Sequence, residues 1–142
     1  MKKTNFIYLS LLKQLKHEIS LIEKLKTKKK WKPYQKIVID YINGASKYAI
    51  YEHNNEKIIL ADGDPKKGFI HILLGHYKKN ELEAMDIVNI FEIFIRGIKL
   101  ESEGVSNPNL TVYMKLQDQK DLRLVLNKKS DKSWVVSAYR KN

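Results

Sequence analysis

Two histidines, His71 and His76, stand in the short apolar run Gly68-Phe69-Ile70-His71-Ile72-Leu73-Leu74-Gly75-His76, and the chain has only four histidines in all. An imidazole with an unperturbed pKa near ~6.5 gives or takes a proton at neutral pH, and apolar neighbours can hold its ring in one place. Strand-like runs at Leu110–Leu116, Leu122–Leu126 and Trp134–Tyr139 then close the chain. Period-two alternation sorts their residues into two sets. Leu110, Val112, Met114 and Leu116, the leucines 122, 124 and 126, and Trp134, Val136 and Ala138 are expected inward. Tyr113, Lys115, Arg123, Ser137 and Tyr139 are then expected on the opposite face. An arginine fork for an anion, with neutral donors to orient it, is phosphate-binding chemistry. With a histidine nearby, the set suits cleavage of an RNA phosphodiester by its own 2′-hydroxyl. The plainer reading is that the histidines complete a core helix and the polar set faces solvent.

Those residues need elements to position them. Tyr8, Leu12, Leu15, Ile19 and Ile22 recur at helical spacing, so residues 5–26 are expected to form an amphipathic helix. The basic run Thr27-Lys28-Lys29-Lys30 and Pro33 end it. A short helix over Tyr34–Ile42 closes at Asn43-Gly44. Lys47–Tyr51 and Lys57–Leu60 flank His53-Asn54-Asn55 as a hairpin, with His53 a turn residue. Asp64 reads as an N-cap and Pro65 as the first position of the helix that carries the histidines, beginning at Lys66 or Lys67. On a helix, residues five apart lie about 140° around the axis, so His71 and His76 are expected to point different ways. Tyr77-Lys78-Lys79-Asn80 breaks that element and places Lys78 and Lys79 beside His76. Leu82–Arg96 is a long apolar helix closed by Gly97, covering a sheet. Ile98–Ser102 is a first strand before a loop at Gly104–Asn109, and a three-stranded antiparallel meander follows. The expected class is α+β: N-terminal helices, then an antiparallel sheet packed against a helix.

The chain has 142 residues and 43% hydrophobic content, enough for one domain with an ordinary core. We divide it at residue 30, into an N-terminal amphipathic arm over 1–30 and an α+β domain over 31–142. The arm carries no acid–base group to rival His71, so its expected work is stability or partner binding. The absence of cysteine excludes disulfides and thiolate metal sites. No carboxylate stands at helical ligand spacing to either histidine, which argues against zinc, and no metal or cofactor is expected. No apolar run approaches the ~20 residues of a membrane helix, and the start lacks a cleavage site, so a cytoplasmic chain is expected. A net charge of +11 favours polyanionic partners, nucleic acid first. Lysine-rich usage also follows from an AT-rich gene, so the lysines alone settle nothing. Eight tyrosines interleaved with basic residues favour nucleic acid.

The segment Gly68–His76, the apolar helix ending at Gly97, the strand Leu122-Arg-Leu-Val-Leu126 and the closing Trp134-Val-Val-Ser-Ala-Tyr139 together resemble the barnase/EndoU/colicin/RelE-like ribonucleases, in their phage-associated and polymorphic-toxin branch. The resemblance spans residues 66–139 and leaves the first 60 unmatched. It implies a metal-independent endoribonuclease toxin, acting on RNA with tRNA among the candidate substrates, and held in check by a cognate immunity protein or antitoxin. Such a toxin works in the cytoplasm, its own or a target cell's. The resemblance implies catalytic roles for His71, His76, Arg123, Ser137 and Tyr139; that family often has threonine where Ser137 stands. Lys78, Lys79, Tyr113 and Lys115 are the expected RNA contacts. Two other readings compete: a non-catalytic basic nucleic-acid-binding module, and an interaction protein working through its first helix.

Overall fold

The computed structural model describes residues 2–25, 30–79, 81–100 and 109–141. Helix α1 (Lys2–Leu25) buries the predicted stripe: Leu15 and Ile19 lie fully in the core, and Tyr8 meets Phe69 edge-on. Helix α2 (Pro33–Ile42) has Pro33 in its first turn, where no amide partner is lost. The Gln35 side chain accepts from the Lys32 N–H at 2.8 Å and so caps that end. Strands β1 (Ala49–His53) and β2 (Glu56–Leu60) form the expected hairpin. Its turn is Asn54-Asn55, both at positive φ (52° and 65°), the two-residue turn whose twist matches paired strands. His53 is therefore a strand residue rather than a turn residue. Its ring stacks on Tyr51 and meets Phe94 edge-on.

Helix α3 (Phe69–Gly75) carries the histidine segment and begins later than expected. Asp64 accepts from the Lys66 and Lys67 N–H groups and closes a turn, not a helix end. The helix instead starts after Gly68, at φ +85°. A Cβ there would lie 3.0 Å from the Ala61 carbonyl oxygen, so glycine is required twice over. The expected long helix is two: α4 (Ala84–Val88) and α5 (Ile90–Arg96), broken at Asn89, whose side chain accepts from Gln35 at 2.7 Å. Gly97 ends α5 in extended backbone (φ −85°, ψ −177°). A Cβ there would come within 2.1 Å of the Ile93 carbonyl and 2.4 Å of the Met114 carbonyl, so close approach, not a left-handed cap, demands glycine.

Strands β3 (Ile98–Leu100), β4 (Leu110–Gln117), β5 (Lys120–Lys129) and β6 (Lys132–Lys141) form an antiparallel meander. The sheet is larger than expected and mixed. Strand β2 adds to β6 in parallel through Lys57–Ile59, giving the order β1-β2-β6-β5-β4-β3. The long connection from β2 to β6 makes a parallel pairing possible. The fold is α+β, with the described helices packed on one sheet face over Ile58, Leu60, Leu124, Leu126 and Ala138. Because α1 contributes Leu15 and Ile19 to that core, the first helix is docked on the rest of the chain. The remainder of the expected first strand (101–102), the loop residues 104–108, Asn80 and most of the basic run 27–30 lie outside the described residues. No described helix is long and apolar enough to cross a membrane.

The register corrects the sorting of faces. Tyr113 pairs with Leu124 and Lys115 with Leu122, so both face the helices. Tyr113 packs edge-on against Phe94, and Lys115 reaches Glu92 at 3.4 Å. Val112, Met114 and Leu116 take the opposite face beside Val125 and Arg123, and Leu116 is 68% exposed. Alternation on β4 points its apolar set inward, and the structure reverses it, because Phe94 receives Tyr113 and Glu92 receives Lys115. On β6 the fault is a bulge. A register shift between Val125 and Leu126 puts one extra residue into the strand, which breaks period two. Ala138 faces the core as expected, but Trp134 pairs with Asn127 on the far face and Val135 takes its core position.

The core boundary carries charge. Burial raises the Glu92 carboxyl, but the Tyr34 hydroxyl at 2.6 Å, Lys115 and Arg96 outweigh it and hold it below its ordinary 4.5. The hydrogen bond from Arg123 likewise lowers Asp121, against a smaller opposing effect of burial. Folded-state values below the unfolded ones mean stability that is present above pH 4.5 and lost as pH falls through the folded values. In urea titrations the midpoint should therefore fall below about pH 4.5. Glu92→Gln should lower the midpoint at neutral pH and make the acid fall shallower; an unchanged acid slope would refute this assignment.

Candidate active site

Helix α3 stops at Gly75, and His76 leaves the helix at φ −131°, ψ −19°. The helical angle between positions 71 and 76 therefore does not apply. The two rings come together, centroids 5.1 Å apart and nearly perpendicular. His76 also lies 5.7 Å from the Tyr139 ring on β6. The expectation that the histidines diverge is overturned, because it assumed an unbroken helix.

Both imidazoles are fixed through the same atom. His71 Nδ1 lies 3.0 Å from the Pro65 carbonyl oxygen, which can only accept, so Nδ1 carries the proton. His76 Nδ1 lies 2.8 Å from Glu81 Oε1, again an acceptor when ionised. Each neutral ring thus presents an unprotonated Nε2 away from its anchor. A carbonyl or carboxylate behind one ring nitrogen sets the tautomer and orientation of the other. Glu81 is delivered by a tight loop in which the Leu82 N–H donates to the His76 carbonyl at 3.0 Å and the Lys78 N–H to the Leu82 carbonyl at 2.9 Å. That loop is tied to α1, since the Tyr77 hydroxyl and the Lys78 ammonium both contact Glu18.

Strand β6 brings Ser137 and Tyr139 to one face, and β5 places Arg123 directly opposite Tyr139 and Val125 opposite Ser137. Neither the Ser137 nor the Tyr139 hydroxyl has a hydrogen-bond partner among the described residues. Arg123 is 6% exposed and held by Asp121, through Nε at 2.7 Å and Nη2 at 2.9 Å. Of the expected RNA contacts, Lys78 and Lys79 are on the loop beside His76. Tyr113 and Lys115 are on the helix-covered face and cannot join them, for the register reason given above.

Sequence reasoning missed two residues here. Glu81 orients His76 from five positions away, a spacing with no helical meaning because the intervening chain is a loop. Arg140 lines a cleft of about 320 Å³ together with Lys78, Glu81, Leu82, Glu83 and Lys120. Lys120 is paired with Glu83 at 2.7 Å, whereas Arg140 has no hydrogen bond or ion pair among the described residues. The only available signal was its place next to Tyr139. Among the described residues no group of three or more histidine or carboxylate side chains is disposed to hold a metal ion.

Comparison with protein-family models and with characterised proteins gives no match to this chain. What the histidine cluster does must be argued from its chemistry.

The tautomer assignment is directly measurable. Nitrogen-15 spectra of the neutral protein should show both His71 and His76 protonated at Nδ1. Glu81→Ala should return His76 to a tautomer mixture and leave His71 unchanged. A neutral His76 protonated at Nε2 in the wild type would overturn the geometry.

Proposed function

We propose that this chain is a toxin-like endoribonuclease that cleaves RNA without a metal ion, by attack of the 2′-hydroxyl on the adjacent phosphate. The products are a 2′,3′-cyclic phosphate and a 5′-hydroxyl. The observation that carries the reading is the paired imidazoles, each anchored at Nδ1 and each presenting Nε2 within one small cluster. In-line cleavage needs a base for the 2′-hydroxyl, an acid for the leaving oxygen, and charge stabilisation at phosphorus. Two histidines in opposite protonation states fill the first two roles. His76, with the Glu81 carboxylate behind its ring, takes the role of acid, and His71, with only a neutral carbonyl behind it, that of base. Ser137 and Tyr139 orient the phosphate. Arg123, its plane fixed by Asp121, stabilises the developing charge from the same sheet face. Arg140 and Lys79 attract the flanking strand.

This assignment has the chemistry that the resemblance to barnase/EndoU/colicin/RelE-like ribonucleases implies, including a cognate immunity protein or antitoxin as partner. The site lies within reach of solvent at one end of the sheet, where an inhibitor can cover it. A basic binding module would have no use for two tautomer-locked histidines, and that contrast favours the enzyme.

The test is cleavage of total RNA and tRNA by purified protein in EDTA, with product ends mapped. His71→Ala and His76→Ala should each lower turnover by roughly 10²- to 10⁴-fold, while His17→Ala and His53→Ala cleave normally. Arg140→Ala should raise KM more than it lowers kcat. It should also reduce the salt dependence by about 0.7 in log–log slope, the value for one phosphate contact on a single strand. Arg123→Ala should remove activity; because Arg123 is buried against Asp121, circular dichroism must confirm folding. Wild-type cleavage by both histidine variants would sink the proposal and leave a nucleic-acid-binding module.

A further inference from the structure

A second cleft lies on the far face of the sheet, at the other end of β6 from Tyr139. It encloses about 280 Å³, and its lining includes Trp134, Asn127, Lys67, Lys129 and the backbone of Gly63 and Gly68. We infer that this cleft binds one unpaired nucleotide of a single-stranded RNA and so forms a recognition subsite for the cleavage site proposed above, on which reading it rests.

The groups are those that a nucleotide requires. Trp134 and Asn127 are direct partners in the β5–β6 register, so an aromatic face and an amide stand side by side. The indole is steadied by an edge-on contact with Tyr48, centroids 6.4 Å apart. A base can stack on such a ring, and an amide carries both a donor and an acceptor for the base edge. The Asn127 amide, the Trp134 N–H and the ammonium groups of Lys67 and Lys129 have no hydrogen-bond or ion-pair partner among the described residues. Two cations flanking an aromatic slot fit a phosphate on either side of a base. Gly63 and Gly68 leave that wall without side chains, so the ligand meets bare backbone. At Gly63 a Cβ would lie 2.1 Å from the Lys67 carbonyl oxygen, so the wall cannot be filled without breaking the turn. Drug-sized ligands occupy clefts of ~300–1,000 Å³; at about 280 Å³ this one has room for a single nucleotide.

The cleft is joined to the histidines by the chain itself. The segment that forms its wall, Ala61–Gly68, also supplies the Pro65 carbonyl that fixes His71. Along β6, Ser137 and Tyr139 continue on the face that bears Trp134. Strand rise is about 3.3 Å per residue, so Trp134 and Tyr139 lie roughly 15 Å apart. A nucleotide seated on Trp134 therefore directs the neighbouring phosphates toward the histidine pair.

The chain has two tryptophans, so Trp31→Phe leaves Trp134 as the sole indole reporter. That variant, titrated with AMP and with UMP, should show saturable fluorescence quenching, and inorganic phosphate should show none. In the same background Asn127→Ala and Lys129→Ala should each weaken AMP binding, while His71→Ala should not. In cleavage assays Trp134→Ala should raise KM for RNA roughly 5- to 150-fold, the range for one lost base stack, with kcat kept. Trp134→Phe should recover most of that loss and guards against a folding artefact. Absence of quenching by either nucleotide, or unchanged AMP affinity in both Asn127→Ala and Lys129→Ala, overturns the subsite. Cleavage by wild type without quenching rejects the subsite alone, and quenching without cleavage in EDTA rejects the ribonuclease reading alone.

Discussion

One backbone hydrogen bond, from the Gly68 N–H to the Val136 carbonyl at 2.8 Å, joins the histidine segment to the last strand. Strand β2 pairs with β6 only as far as Trp134, so the outer edge of β6 beyond it needs other partners. An unpaired edge with buried carbonyls is costly, and the start of α3 covers this one. The bulge at the Val125/Leu126 shift falls where Gly68 docks. Only glycine tolerates the positive φ and the crowding against the Ala61 and Asp62 carbonyls. With that contact made, α3 runs beside β6 and ends where His76 meets Tyr139. Without it the two halves of the site would share no frame.

Tyrosine–carboxylate pairs lock the helices around that frame. Tyr34 donates to Glu92, Tyr41 to Asp62 and Tyr77 to Glu18, each joining residues far apart in the chain. Burial pushes all three phenols upward, with Tyr34 reaching about 12, so they stay neutral donors at any physiological pH. This alters the meaning of the tyrosine content. Residues read from composition as partners for nucleic acid are in good part internal fasteners. Tyr48 and Tyr139 alone among those discussed lie on the face away from the helices.

The same economy governs the cations. Lys115 is spent on Glu92, Lys120 on Glu83 and Asp86, and Lys78 on Glu18. A net charge of +11 therefore overstates the charge that is free to meet a polyanion. Unpaired among the described residues are Lys79 and Arg140 close to the histidine pair, and Lys67 and Lys129 at the cleft beside Trp134. Exposed lysines elsewhere add a diffuse attraction that salt screens within about 10 Å.

Local patterns in the sequence were enough to establish the helices α1 and α2, the β1–β2 hairpin, the three long strands of the meander and the α+β class. Each depends on periodicity, proline or turn chemistry within a few residues. The candidates His71, His76, Ser137 and Tyr139 were legible by residue type. Their convergence was not, because it rests on a helix ending one residue before His76 and on a glycine meeting a strand some 70 residues later. The parallel addition of β2 to β6 was hidden for the same reason: pairing between distant segments leaves no period in either one. Which face of β4 turns inward was decided by Glu92 and Phe94 on α5 accepting Lys115 and Tyr113. The bulge reversed Trp134 because alternation counts residues, whereas a sheet counts hydrogen-bonded pairs. Glu81 and Arg140 became visible only in three dimensions, since a loop residue and a strand end acquire chemical meaning from what the fold sets beside them.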